Sequence, residues 1–335
     1  MYSFTIQILS VTKKIMNWLY QTEGVINHYK EKFHFGNQPI RVLHHMNVYM
    51  FHMIHPTFVI DLKKAIETNG LSSKVDIIYG DEKIRFTPKI RIDDKKILLH
   101  ETFLSYLWCI SNSLYTLYLE EVDFPNCNNE VGYEKYKIEQ EKIDKAIELF
   151  DYAKSLIVDF VPWDKEHLPN PEIYKAEERD FIEQPNIFYT HAIMFILCHE
   201  YIHAIKHIDI IKAQNLENSH FIEFEKEADY EAIELLKKGI FPTKINELGI
   251  TVGIIIGILS MLYFKSTTAS TKHPNTEDRL TSALEQLNLS DDTPCWGIAL
   301  VGIKLWAEQF SITININNDL SEKEAYYNVI QQIKN

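Results

Sequence analysis

H-A-I-M-F-I-L-C-H-E-Y-I-H-A-I-K-H, residues 191–207, carries the pattern on which the reading of this chain turns. Within it stands H-E-x-x-H, as His199, Glu200 and His203. On a helix, a step of four residues returns a side chain to nearly the same face one turn on. Both imidazoles can then reach one zinc ion, with Glu200 beside it to serve a water molecule. Ile193, Ile196, Leu197, Ile202 and Ala204 supply the helical context.

A catalytic zinc site needs a third protein ligand and an open position. The same helix does not offer that ligand. Lys206 and Asp209 occupy the places where a glycine and a third histidine would extend the motif, and Asp209 follows His203 too closely to close the site from another side. F-E-K-E-A-D-Y-E-A, residues 224–232, begins a second helical run in which Glu225 and Asp229 share a face. Glu225 can ligate the metal while Asp229 accepts the outer N–H of a ligand histidine and fixes its tautomer. Glu223 and Glu227 are alternative ligands. His207 is expected to be turned away by the helical offset, with a rim or structural role, and His191 and His220 are expected to be ordinary polar or partly buried histidines.

Composition frames this chemistry. Of the 335 residues, 46% are apolar and 24% charged, with 11 Gly and 11 Pro, which argues for packed globular structure and against a disordered or collagenous chain. The net charge of −13, with no basic cluster, speaks against nucleic-acid binding. Cys109, Cys127, Cys198 and Cys295 form no C-x-x-C pair, so no disulfide scaffold is expected and a reducing compartment fits. The N-terminus does not read as a secretory signal.

The periodicities predict a predominantly helical α+β fold with a small antiparallel sheet. Residues 11–32 read as helix. D-I-I-Y and K-I-R-F-T-P-K-I-R-I, within 75–92, read as a hairpin or small sheet, and 97–119 as one largely buried helix. An amphipathic helix is expected over 139–160, a short helix capped by Asn170 in N-P-E-I, an apolar helix over 294–310, and a last helix behind a capping box of Ser321 and Glu324. Three regions follow: mixed α/β over 1–125, helical connection over 126–184, and a helical core over 185–335. L-G-I-T-V-G-I-I-I-G-I-L-S-M-L-Y-F, residues 248–264, is at the margin of spanning length. Its stripe of Gly249, Gly253 and Gly257 allows close packing in lipid or in protein. The shortness and the weak basic flanks favour a buried helix over a membrane anchor.

H-E-Y-I-H, E-K-E-A-D-Y-E-A and T-K-H-P-N-T-E-D-R-L (residues 271–280) resemble, in order, the motifs of Glu-liganded zinc peptidases related to the CaaX prenyl protease and HtpX families. They resemble most nearly the phage-exclusion peptidase Lit family. The resemblance implies a zincin-like metallopeptidase core binding one zinc ion through His199, His203 and Glu225, with Glu200 as general base. The related H-P-x-x-x-x-R pattern implies His273 near the reaction centre and Arg279 in the network supporting Glu225 or Asp229. It further implies an anti-phage suicide protease, cytoplasmic or associated with the inner membrane, whose substrate is elongation factor Tu; because such a protease uncontrolled would be toxic to its host, a phage-derived or other activator is expected. Two other readings are an HtpX-like membrane quality-control protease and a zinc-stabilised phage sensor that catalyses nothing.

Overall fold

Pro56, whose ring presets φ and whose missing N–H is no loss in a first turn, starts α1 (Pro56–Glu67), which buries Phe58, Val59, Leu62 and Ala65. The computed structural model describes residues 37–41, 43, 47, 51, 54–73, 75–84, 87–131, 136–175, 178–239, 244–317 and 319–335. The helix expected over 11–32 lies outside them.

Three short strands follow: β1 (Asp76–Ile78), β2 (Lys89–Arg91) and β3 (Lys96–His100). β1 and β2 do not form the expected hairpin. β3 lies between them, parallel to β1 with Asp76 opposite Leu98, and antiparallel to β2 with Ile90 opposite Ile97. The sheet is therefore mixed. Burial explains the order. Ile97, Leu98 and Leu99 are all buried and take the centre, whereas β2, with Lys89 and Arg91 exposed, stays at an edge.

The apolar run 97–119 is not one helix. β3 passes directly into α2 (Glu101–Tyr118), and His100 caps the turn, its Nδ1 accepting from the Thr102 N–H at 3.1 Å. Histidine is not among the preferred capping residues, so the break carries no ordinary sequence signal. α2 is buried on almost every side, Ser105, Ser111 and Ser113 included, and it continues through a π turn (Leu119–Asp123) into α3 (Phe124–Val131).

α4 (Gln140–Val158) matches the expected amphipathic helix and packs on α2. No helix forms at N-P-E-I. The Asn170 Oδ1 instead accepts from the N–H groups of Glu172 and Ile173 at 2.9 and 3.1 Å, a side-chain turn that satisfies those donors without a helix.

α5 (Arg179–Ile202) carries Pro185 in its interior, which leaves the Phe181 carbonyl without its intrahelical partner. The Asn112 Nδ2 of α2 donates to that oxygen at 2.6 Å, and the Trp108 Nε1 of α2 donates to the Asn186 Oδ1 at 2.6 Å. Side chains of α2 thus secure the helix that bears the histidines. Next come a π turn (His203–His207), α6 (Ile208–Ala213), α7 (Asn218–Lys237), α8 (Lys244–Leu262), α9 (Thr276–Gln286), α10 (Pro294–Gln309) and α11 (Glu322–Lys334). α11 has the expected capping box of Ser321 and Glu324.

α8 packs against α2, α5, α9 and α10, and buries Ile250, Val252, Ile254, Ile255, Ile256, Ile258, Leu259 and Leu262. At Gly253 an added Cβ would stand 2.8 Å from the Ala192 backbone nitrogen, so α5 and α8 meet backbone to backbone there. Among the described residues, no helix is long and apolar enough to cross a membrane.

Candidate metal centre and active site

Because α5 is held firmly by α2, its last turn and the start of the π turn that continues it present His199 and His203 on one face, and α7 crosses that face to bring in Glu225. The His199 and His203 Nε2 atoms are 3.1 Å apart. Glu225 stands 3.4 Å from each, through Oε2 to His199 and Oε1 to His203. Corners of a tetrahedron around a zinc with roughly 2.0–2.1 Å bonds lie about 3.3 Å apart, so the three donors fit such an ion. Two nitrogens and one carboxylate also form the donor set of an open catalytic site rather than a closed structural one. Among the described residues, these three form the one cluster of metal-ligating groups.

The outer shell is built from the same helices. The His199 Nδ1 is 2.8 Å from the Asp229 Oδ1. Arg279, from α9, grips both Asp229 oxygens with its Nε and Nη2 at 2.6 and 2.7 Å. Burial works to raise the Asp229 carboxyl, but Arg279 and His199 overcome it and hold the group at about 2. Glu225 is likewise kept far below the usual carboxylate range despite its burial, by His199, His203 and His273.

Glu200 lies beside this cluster, buried and without an ion-pair partner among the described residues. Burial raises its carboxyl to about 7, and Glu225 adds to the rise against the pull of His199, the Ile90 N–H and Arg279. The Ile90 contact places the edge strand β2 at the site. His273, in the segment between α8 and α9, reaches the Glu225 Oε2 with its Nδ1 at 3.1 Å and keeps 54% of its side chain exposed at the rim.

A cleft of about 500 Å³ opens over these groups. Ile90 and Ile92 form one wall, Phe195, Ile196 and Met261 another, and Phe221 and Phe224 a third. The structure thus gathers His199, Glu200, His203, Glu225, His273 and Arg279 around one cavity, with Asp229 behind His199 and Arg279. The other candidates lie elsewhere. Glu223 is exposed and pairs with Lys226, and Asp209 pairs with Lys95. Glu227 pairs with Lys206, and His191 is buried with its Nδ1 2.9 Å from the Ile187 carbonyl oxygen.

His207 departs from expectation. The backbone widens into a π turn at His203–His207, where the Ile208 N–H bonds to the His203 carbonyl, and the His207 ring comes to lie 4.9 Å from that of His203. The helical offset assumed for a regular α-helix does not apply across that turn. Sequence reasoning also missed the approach of β2 to Glu200, although the alternation in K-I-R already marked the segment as a strand.

A helical H-E-x-x-H joined by a glutamate from a second helix, over an open cleft, defines a zinc-dependent metallopeptidase that holds one zinc ion. The chain belongs to the Peptidase U49 family, which it matches over residues 97–299, from β3 into α10 and across every residue of the cluster. No curated protein and no solved structure matches the chain.

Proposed function

We propose that the protein is an endopeptidase of phage exclusion that cleaves an intracellular protein of the translation machinery. Elongation factor Tu is the substrate indicated by the family resemblance, and a phage-derived peptide is the activator. A protease aimed at its own host's translation must be held inactive until infection, which is the reason to expect a trigger. The proposed place of action is the cytoplasm, with or without peripheral contact to the inner membrane.

In the proposed mechanism His199, His203 and Glu225 would hold the zinc, which when bound would supply Lewis-acid chemistry to the scissile carbonyl and to the attacking water. Glu200 takes that water's proton and passes it to the departing amine. Burial in the cleft raises the Glu200 carboxyl above the ordinary carboxylate range, the direction that favours its taking and returning a proton. His273, exposed at the rim beside Glu225, is placed to donate to the oxyanion, and Arg279 acts through Asp229 to orient His199. The apolar walls beside the β2 edge suit an extended peptide segment.

The observation that carries this reading is the buried Glu200 carboxylate next to the three donors, without an ion-pair partner among the described residues, because a purely structural zinc site has no use for it. Glu200→Gln should keep the fold and the zinc and lower hydrolysis by at least about 10²-fold. New protein termini, mapped by mass spectrometry in bacteria carrying the phage trigger, should appear with the wild type alone. Equal cleavage by both forms would remove Glu200 from the mechanism, and growth arrest by both without new termini would favour the sensor.

A further inference from the structure

His207 is 1% exposed and has three neighbours that fix its ring. Its Nδ1 is 2.9 Å from the His203 Nδ1, its Nε2 is 3.2 Å from the Glu227 Oε2, and its face stacks on Phe224 at 4.4 Å with 10° between the planes. Glu227 is itself anchored, its Oε1 accepting from the Lys206 Nζ at 2.8 Å.

Each neutral imidazole carries one N–H, and two ring nitrogens in contact need one proton between them. If that proton belonged to His207, the His203 proton would sit on Nε2, aimed at His199 and Glu225, and the bare His207 Nε2 would face a carboxylate. If it belongs to His203, every contact outside the metal pocket is satisfied. The His203 Nδ1–H donates to His207, the His207 Nε2–H donates to Glu227, and the His203 Nε2 lone pair points at the metal pocket. Glu227 therefore selects the tautomer that can bind metal.

We infer that His207 and Glu227 are positioning residues, a relay from a second helix that locks His203 as a metal ligand. The relay serves His203 as Asp229 serves His199. His207 stands at the last position of the π turn, with its ring against that of His203. The inference rests on the zinc site described above, and its test reads metal affinity rather than cleavage.

Zinc dissociation constants of the full chain, measured by competition with a chromogenic chelator, should rise about 10–100-fold in His207→Phe, which keeps the stacking on Phe224 but offers no acceptor. His207→Gln, whose amide can both accept from His203 and donate to Glu227, should recover most of the affinity. Glu227→Leu should weaken binding in the same direction. Glu231→Leu removes the other carboxylate on Lys206 without touching His207 and should bind zinc as the wild type does. Nitrogen-15 NMR of the zinc-loaded protein should find the His207 proton on Nε2. Because Glu227 is 44% exposed at its side chain, Glu227→Leu remains decisive even if His207→Phe does not fold. Wild-type affinity in folded Glu227→Leu, or a His207 proton on Nδ1, would overturn the relay and leave the zinc site standing. A wild-type chain that binds no zinc would overturn both.

Discussion

A guanidinium presents parallel N–H donors, and Arg279 gives two of them to Asp229, whose other contact is the His199 Nδ1. Lysine would keep the charge and lose the fork, leaving Asp229 free to rotate away from His199. Arg279→Lys should therefore weaken zinc binding by about tenfold, within the range for lost outer-shell support, while the fold persists. Unchanged affinity in chelator competition would show that Asp229 needs no clamp. Among the acidic residues of α7, Glu225→Ala should leave the purified chain largely without zinc, whereas Glu223→Ala should retain about one ion per chain by elemental analysis. Should the two outcomes exchange, the third ligand would be Glu223. His199, Glu200 and His203 were legible in the sequence because their relation is set within a single helix. His207 was not, because no residue type announces the widened turn in which it stands.

Helix packing decides the sign of substitutions at Gly253. Taken as an isolated helix position, Gly253→Ala ought to stabilise, since alanine is the better helix former. Against α5, the new Cβ would meet the Ala192 backbone nitrogen at 2.8 Å, and a backbone atom cannot step aside as a side chain tip can. Gly253→Ala should thus cost about 1–3 kcal/mol or more in urea unfolding, and Gly253→Leu should cost more still and abolish activity. Gly80→Ala is the control, because its nearest neighbours are flexible Glu82 atoms at 3.7 Å and beyond. A Gly253→Ala variant as stable as the wild type would contradict the close approach of α8 to α5. The glycine spacing showed that a close contact existed without naming the partner helix. Elements with a clean period, such as α4 and α10, were readable. The break at His100 was not, because apolar residues continue on both sides of it and the cap is an unusual one. The mixed sheet was hidden for a related reason, since the pattern marks strands but not which of them takes the central place.

Two of the buried histidines away from the cleft, His55 ahead of α1 and His191 two turns before His199, have energetics set by the core. Burial pushes both from 6.5 down to about 4; His191 lowers His55 further, while the Ile187 carbonyl pulls His191 the other way without overcoming burial. A folded value below the unfolded one means that the unfolded chain binds more protons between pH 4 and 6.5. Stability is then fully present above about 6.5 and is lost as the pH falls toward 4, by roughly 3 kcal/mol for each histidine. His199 has the opposite sign, because Asp229 and Glu225 raise it against the cost of burial. Its contribution to the zinc-free protein is complete below 6.5 and adds no slope in that window. Urea unfolding of chelator-treated protein between pH 7 and 4.5 should therefore show steadily falling stability. In His191→Gln the slope should be shallower by about 1.4 kcal/mol per pH unit, the value of one proton. Glu200, raised by burial, opposes this fall in the same window; with His203, His207 and the depressed carboxylates it titrates in both forms and cancels in the comparison. Identical slopes would mean that His191 is already protonated in the folded core, and the neutral interface between α5 and α8 would have to be abandoned.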